Sequence, residues 1–202
     1  MKRMAILISG RGSNMTALLE AHAAGNLHIQ PVLVISNRAL APGLETARAH
    51  QVRTEVVSFK DRDAGEGRVL ELTRACGVDL VVLAGFMRVI SPRLIEAFPQ
   101  RIINIHPSLL PAFPGLHAQQ QAWEYGVRVS GCTTHFVTAG VDSGPIIMQR
   151  VVPVREDDTE ESLAARILEQ EHQALVATVN AWAEGGLNLQ GRRVHGVGDA
   201  GT

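Results

Sequence analysis

The stretch Met4-Ala5-Ile6-Leu7-Ile8-Ser9-Gly10-Arg11-Gly12-Ser13-Asn14 passes from an apolar run into a glycine-rich turn, and a helical pattern follows over 13–24. An apolar run without polar alternation suits a strand buried on both faces of a parallel sheet, here over 4–9. The turn exposes backbone N–H groups at the positive end of the next helix, and Ser13 and Asn14 add side-chain donors, so the segment suits a phosphate. A tight turn that uses its glycines only for backbone geometry fits the same residues. A dinucleotide-binding fold is disfavoured. Met15 stands where GxGxxG needs its third glycine, and the next apolar run ends in Asn37 instead of an acidic residue for a ribose diol.

Outward from this turn the pattern alternates. Strand-like runs at 32–36, 80–84 and 102–105 are separated by helical patterns at 44–50, 66–75 and 92–98, a βαβ series. A helix over 118–125 then leads to strands at 131–137 and 146–154, predicted antiparallel across the turn-rich link 138–145. A long helix is expected from Asp158, capped by that residue with Glu161 reaching back. Leu163, Ile167, Ala174, Leu175, Val179 and Trp182 lie along one side, and Gly185 and Gly186 end it. A short edge strand at 187–190 and a loose end complete the reading. The fold class is α/β: a Rossmann-like open, mostly parallel twisted sheet with helices on both faces and an antiparallel C-terminal edge.

Composition narrows the function classes. With 202 residues and 46% hydrophobic content the chain can bury a core, and a single domain over 1–202 is expected. A net charge of -1 gives no broad basic field for nucleic acid, and no apolar run is long enough for a membrane. Cys76 and Cys132 sit in apolar surroundings and read as small core residues, not as a disulfide or metal site. The N-terminal run reads straight into the first strand, so a cytoplasmic protein is expected.

The chemistry gathers after the fourth apolar run. In Asn104-Ile105-His106-Pro107-Ser108-Leu109-Leu110-Pro111 a carboxamide and an imidazole alternate on a strand, which turns both side chains to one face. Pro107 and Pro111 stop the ladder and open a stiff loop. An Asn that donates to an oxyanion beside a His that moves a proton suits acyl transfer. A turn-forming Asn with a partly buried histidine is the alternative. Asp142, in a glycine-rich link, would favour the charged form of a nearby imidazole and order a water for proton transfer, although Asp there is also a common turn residue. His135, on the neighbouring strand, could border the same cleft, and His117 lies in the proline-rich loop; for both, a packing or surface role is at least as good a reading. The run from Leu83 to Ile90 offers an apolar wall and backbone edge groups for a flat heterocycle, or a core strand entering a helix.

NIHPSLLPAFPGLHA at 104–118, together with ISGRGSN at 8–14, LAGFMRVISP at 83–92, HFVTAGVDSGPII at 135–147 and QEH at 170–172, resembles the folate-dependent formyltransferases. The resemblance implies transfer of a formyl group from the cosubstrate 10-formyltetrahydrofolate, without a metal. The acceptor it implies is the glycine amine of phosphoribosylglycinamide, a step of de novo purine biosynthesis. By the same resemblance, residues 1–100 form a nucleotide-binding half, 101–186 a folate and catalytic half, and 187–202 a short tail. Asn104, His106 and Asp142 would be catalytic. Gly12, Ser13 and Asn14 would hold the ribonucleotide phosphate, and Glu171 its ribose hydroxyls. Met87, Arg88, Val89 and Ile90 would line the pterin pocket with Asn104, and Arg62 would lie near the other end of the folate. Arg11 is given no role, and Leu168 departs from the polar or basic residue expected one turn before Glu171, which would remove one contribution to the phosphate end of the site. Other folate-dependent formyltransferases, a formyltetrahydrofolate hydrolase and a noncatalytic nucleotide-binding module are the alternatives. The expected partners are small molecules, with no nucleic acid or membrane, and a homodimer is left open.

Overall fold

A computed structural model describes residues 1–197, so the chain end predicted to be loose lies outside the described residues. The chain divides into two compact units, Met1–Asn104 and one beginning at Ile105.

The first unit alternates strand and helix: β1 (Arg3–Ile8), α1 (Ser13–Ala23), β2 (Gln30–Ser36), α2 (Gly43–Ala49), β3 (Arg53–Val56), α3 (Arg62–Ala75), β4 (Leu80–Leu83), α4 (Pro92–Ala97) and β5 (Ile102–His106). All its strand pairs are parallel, with β2 and β4 on either side of β1. The chain therefore builds outward from β1 through β2 to β3, then returns to the other side of β1. That reversal creates a switch point between β1 and β4, where an open α/β sheet forms a crevice at its carboxyl ends. Met4, Ile6, Leu7, Ile8, Leu80 and Val82 are fully buried, as two-sided parallel strands require.

Two elements of this unit differ from the expectation. β3 was not predicted because Arg53-Thr54-Glu55-Val56 lacks an apolar run; it pairs only with β2, at the sheet edge, and is mostly part-exposed. α3 begins at Arg62, four residues before the predicted start at Glu66, because Asp61 caps it by accepting the Ala64 N–H at 3.0 Å. Gly65 and Gly67 hide this in the sequence. Gly65 is needed for packing, since a Cβ there would lie 2.7 Å from the Ser58 carbonyl oxygen.

The second unit contains α5 (Ala118–Tyr125), β6 (Val129–Phe136), β7 (Ile146–Pro153), α6 (Glu160–Ala183), β8 (Asn188–Gln190) and β9 (Arg193–His195). β6 and β7 are antiparallel, as expected, and β1 to β7 form one sheet in the order β3-β2-β1-β4-β5-β6-β7. The fold class is thus a mostly parallel α/β sheet with an antiparallel edge. β8 is not an edge of that sheet but pairs with β9 in a separate hairpin.

α6 packs through Leu163, Ile167, Ala174, Leu175 and Val179, all fully buried, and each large side chain among them contributes about 1.5–3 kcal/mol. Trp182 is only half-buried. The cap also differs: Thr159 and Ser162 form the capping box, not Asp158 and Glu161. Asp158 is engaged elsewhere, by Arg166 at 2.6 Å and the Arg155 N–H at 2.7 Å. The Arg166 guanidinium, first among these partners, holds the Asp158 carboxyl well below the usual carboxylate range.

Candidate active site

β5 ends at His106, and Asn104 two positions earlier takes the same face of the strand. Asn104 is half-buried and pairs in register with Leu83 of β4. The His106 ring is buried and its nitrogens face two acceptors. Nε2 lies 2.8 Å from the Phe113 carbonyl oxygen and Nδ1 lies 3.3 Å from Asp142 Oδ2. A carbonyl or an ionised carboxylate only accepts, so both contacts are satisfied together when each ring nitrogen carries a proton. The geometry therefore suits the imidazolium form of His106.

Asp142 supports that assignment by remaining ionised. Burial pushes its carboxyl up, but the His135 ring, the Gly115 N–H at 2.8 Å and the His106 ring together hold it below its ordinary value. His135 repeats the arrangement on the other carboxylate oxygen: Nε2 lies 3.6 Å from Asp142 Oδ1 and Nδ1 lies 3.0 Å from the Phe136 carbonyl oxygen. Asp142 is thus gripped by two buried histidines, and of the readings open for His135 the structure bears out the one that sets it beside the cleft residues. Asp142 presents its side chain from a left-handed backbone, φ 44°, a conformation that Asp tolerates better than most residues.

The proline-rich loop that supplies the Phe113 carbonyl and the Gly115 N–H is fastened to β6 and β7. Thr133 donates to the Ser108 carbonyl at 2.6 Å and accepts the Leu110 N–H at 3.0 Å, while Gln149 donates to the Leu110 carbonyl at 2.8 Å. Ser108 Oγ donates to the Ala112 carbonyl at 2.6 Å, which tightens the turn. Thr133, Gln149 and the two backbone groups carry no sequence signal for this work. His117 is not part of the constellation; it is exposed and forms the N-cap of α5. The link between β6 and β7 contains Gly140 and Gly144, glycines that leave room for close backbone approach. Gly144 serves internal packing, because a Cβ there would lie 1.7 Å from the Phe136 carbonyl oxygen.

Within the first unit the glycine turn and the loop after β4 flank the switch point. Gly12 is the N-cap of α1 with φ 72°, and the first turn of that helix has neither a side-chain cap nor an acidic residue. Its N–H groups therefore point into an electropositive helix end. Asn14 is buried and Ser13 half-buried. In the loop after β4, Met87, Arg88 and Val89 are exposed while Ile90 is buried. Arg62, at the start of α3, is exposed and only loosely paired with Asp63 at 4.0 Å.

Glu171 is buried on the packed side of α6, unlike an ordinary solvated helical glutamate. Nearby Cys132 is a buried thiol pushed up to about 12, chiefly by burial and then by the Glu171 charge. Both cysteines are buried and outside any disulfide, as small core residues should be.

Comparison with known proteins gives this constellation a class. Residues 2–179 match the family model described as formyl transferase. The chain belongs to the formyl transferase family. It is 40% identical over 187 residues to phosphoribosylglycinamide formyltransferase of Escherichia coli K12, covering 91% of this chain and 88% of that one. It is 49% identical over 191 residues to the trifunctional purine biosynthetic protein adenosine-3 of Drosophila melanogaster, covering 90% of this chain but only 14% of that much longer protein. The crystal structure of glycinamide ribonucleotide transformylase 1 from Symbiobacterium toebii superposes with a TM-score of 0.94 at 50% identity, covering 96% of this chain and 93% of that one. No helix among the described residues is long and apolar enough to cross a membrane.

Proposed function

We propose that the chain transfers the formyl group of 10-formyltetrahydrofolate to the glycine amine of phosphoribosylglycinamide. The observation that carries this reading is His106 held between the Phe113 carbonyl and the Asp142 carboxylate, two positions beyond Asn104 on the same strand face. The acceptor amine attacks the formyl carbon and the carbonyl oxygen becomes an oxyanion. Asn104 donates its amide N–H to that oxygen and the His106 imidazolium offsets the charge. As the tetrahedral intermediate collapses, the bond to the folate nitrogen breaks, the amine loses a proton and the folate nitrogen gains one. Asp142, through an ordered water, serves that proton transfer and keeps the imidazole charged. No covalent enzyme intermediate is needed.

Substrate roles follow the chemistry of each segment. Gly12, Ser13 and Asn14 hold the phosphate at the positive end of α1, and Glu171 accepts hydrogen bonds from the ribose hydroxyls. Met87, Arg88, Val89 and Ile90 border the pterin, Asn104 meets its formyl group, and Arg62 faces the acidic end of the folate. In this reading the expected division into a nucleotide-binding half at 1–100 and a folate and catalytic half at 101–186 is not strict, since Arg62 and Met87 to Ile90 serve the folate and Glu171 the nucleotide; the enzyme is a cytoplasmic one acting on small molecules. The test is a transfer assay with 10-formyltetrahydrofolate and three acceptors: phosphoribosylglycinamide, initiator methionyl-tRNA and water. Turnover dependent on phosphoribosylglycinamide is expected. Equal turnover with water alone would assign a hydrolase, and turnover only with the tRNA would assign another branch of the family.

A further inference from the structure

Glu66, on α3, is fully buried, although a buried carboxylate costs more than an apolar residue filling the same space unless its bonds are complete. Both of its oxygens are committed to one residue. Oε1 accepts the Ser91 N–H at 2.6 Å, and Oε2 accepts the Ser91 hydroxyl. Ser91 is the N-cap of α4, with the extended backbone typical of that position. A serine there ordinarily turns its hydroxyl onto the helix's own first amides. Ser91 makes no such bond, because its hydroxyl is turned to Glu66. A local capping contact has been exchanged for a long-range one.

Ser91 closes the loop that starts at Gly85, and the start is fastened too. The Ser9 N–H donates to the Gly85 carbonyl at 3.1 Å, and Ser9 Oγ accepts the Met87 N–H at 2.8 Å while donating to Asn37 Oδ1 at 2.6 Å. Between these anchors Met87 and Val89 stand 57% and 60% exposed, so the middle of the loop is presented to solvent and held from its two ends. Exposed apolar side chains on a short, tethered loop are a preorganised contact surface, since binding need not order them.

We propose that Glu66 is a positioning residue for the folate cosubstrate, fixing through Ser91 the loop whose Met87, Arg88 and Val89 meet the pterin; this rests on the functional reading above. The test compares Glu66→Gln and Ser91→Ala with the wild type in full-length protein. KM for 10-formyltetrahydrofolate and for phosphoribosylglycinamide, kcat, and backbone amide exchange at 86–91 without ligand are measured. Gln is nearly isosteric but turns a donor toward the Ser91 donors. Ser91→Ala reaches the same contact from its other side, and Ser91→Thr, which keeps the hydroxyl, serves as the rescue. The expected result for both disruptive variants is a folate KM raised about tenfold, a phosphoribosylglycinamide KM within about twofold, and faster exchange confined to 86–91, with Ser91→Thr near wild type. A lower melting temperature with both KM values unchanged, or shifted equally, would overturn the proposal and leave Glu66 as a structural residue. A wild type without transfer activity would instead remove the functional reading on which it stands.

Discussion

The glycine turn at 9–14 and the cluster around Asp142 make polar sites in opposite ways. The turn offers backbone N–H groups at a helix end, with a left-handed Gly12 as N-cap and few charged side chains. The Asp142 cluster is made of side chains, two imidazoles on one carboxylate, each braced by a backbone carbonyl. A backbone site depends on chain geometry, and side-chain changes reach it only through the few donors that supplement the backbone, here Ser13 and Asn14. A side-chain site fails when one atom is altered. Mutations should therefore lower binding at the first and rate at the second.

The largest effect is expected at β5. Asn104→Ala should reduce kcat by about a hundredfold or more while both substrates still bind, as loss of an oxyanion donor does. His106→Ala should cost at least as much. Single-turnover rates with bound substrates check both, and an unchanged rate in either would remove that residue from the mechanism. Next in size, Asn14→Ala should weaken phosphoribosylglycinamide roughly tenfold, about the value of one hydrogen bond to a charged group, with little change for the folate. Equal weakening of both ligands by calorimetry would mean that the turn itself has collapsed. Gly12→Val is a poorer probe than Asn14→Ala, because a β-branched residue at φ 72° strains the backbone whether or not a phosphate is present.

A third effect concerns the fold under the catalytic cluster. Gly144→Ala would drive a Cβ into the Phe136 carbonyl, and the displacement should cost about 1–3 kcal/mol in denaturant unfolding. A neutral result would show that the link between β6 and β7 yields easily. The smallest effect lies at Asp158, far from the chemistry in kind. Its folded-state carboxyl is depressed, so its pairing with Arg166 stabilises fully above the usual carboxylate value of about 3.9 and is lost as pH falls through the lower folded value. Asp158→Asn should lower the melting temperature near neutral pH and flatten its fall in acid, without changing the rate.

The comparison also separates what sequence can and cannot disclose. The parallel strands were legible because buried apolar runs leave little other choice, and the polar edge strand Arg53–Val56 was missed for the same reason. Thr159 was passed over as the cap of α6 because Asp158 is an equally good capping residue by type, and only Arg166 in space decides between them. Asn104 and His106 could be placed on one face from their spacing alone. The surroundings of His106 could not, since the Phe113 carbonyl that faces its Nε2 and the Gly115 N–H that donates to Asp142 are backbone groups brought in by a folded loop. His135 was visible as a residue, but its approach to Asp142 depends on the register of β6 and the left-handed turn at Asp142.

The central claim is that Asp142 holds His106 as a charged double donor. Nitrogen NMR of the His106 ring near neutral pH reads the protonation of both nitrogens directly, in the wild type and in the nearly isosteric Asp142→Asn. The account predicts protons on both Nδ1 and Nε2 in the wild type, and in the variant a shift toward the neutral ring with a matching fall in kcat. A neutral His106 in the wild type, or an unaltered ring and rate in Asp142→Asn, would contradict it.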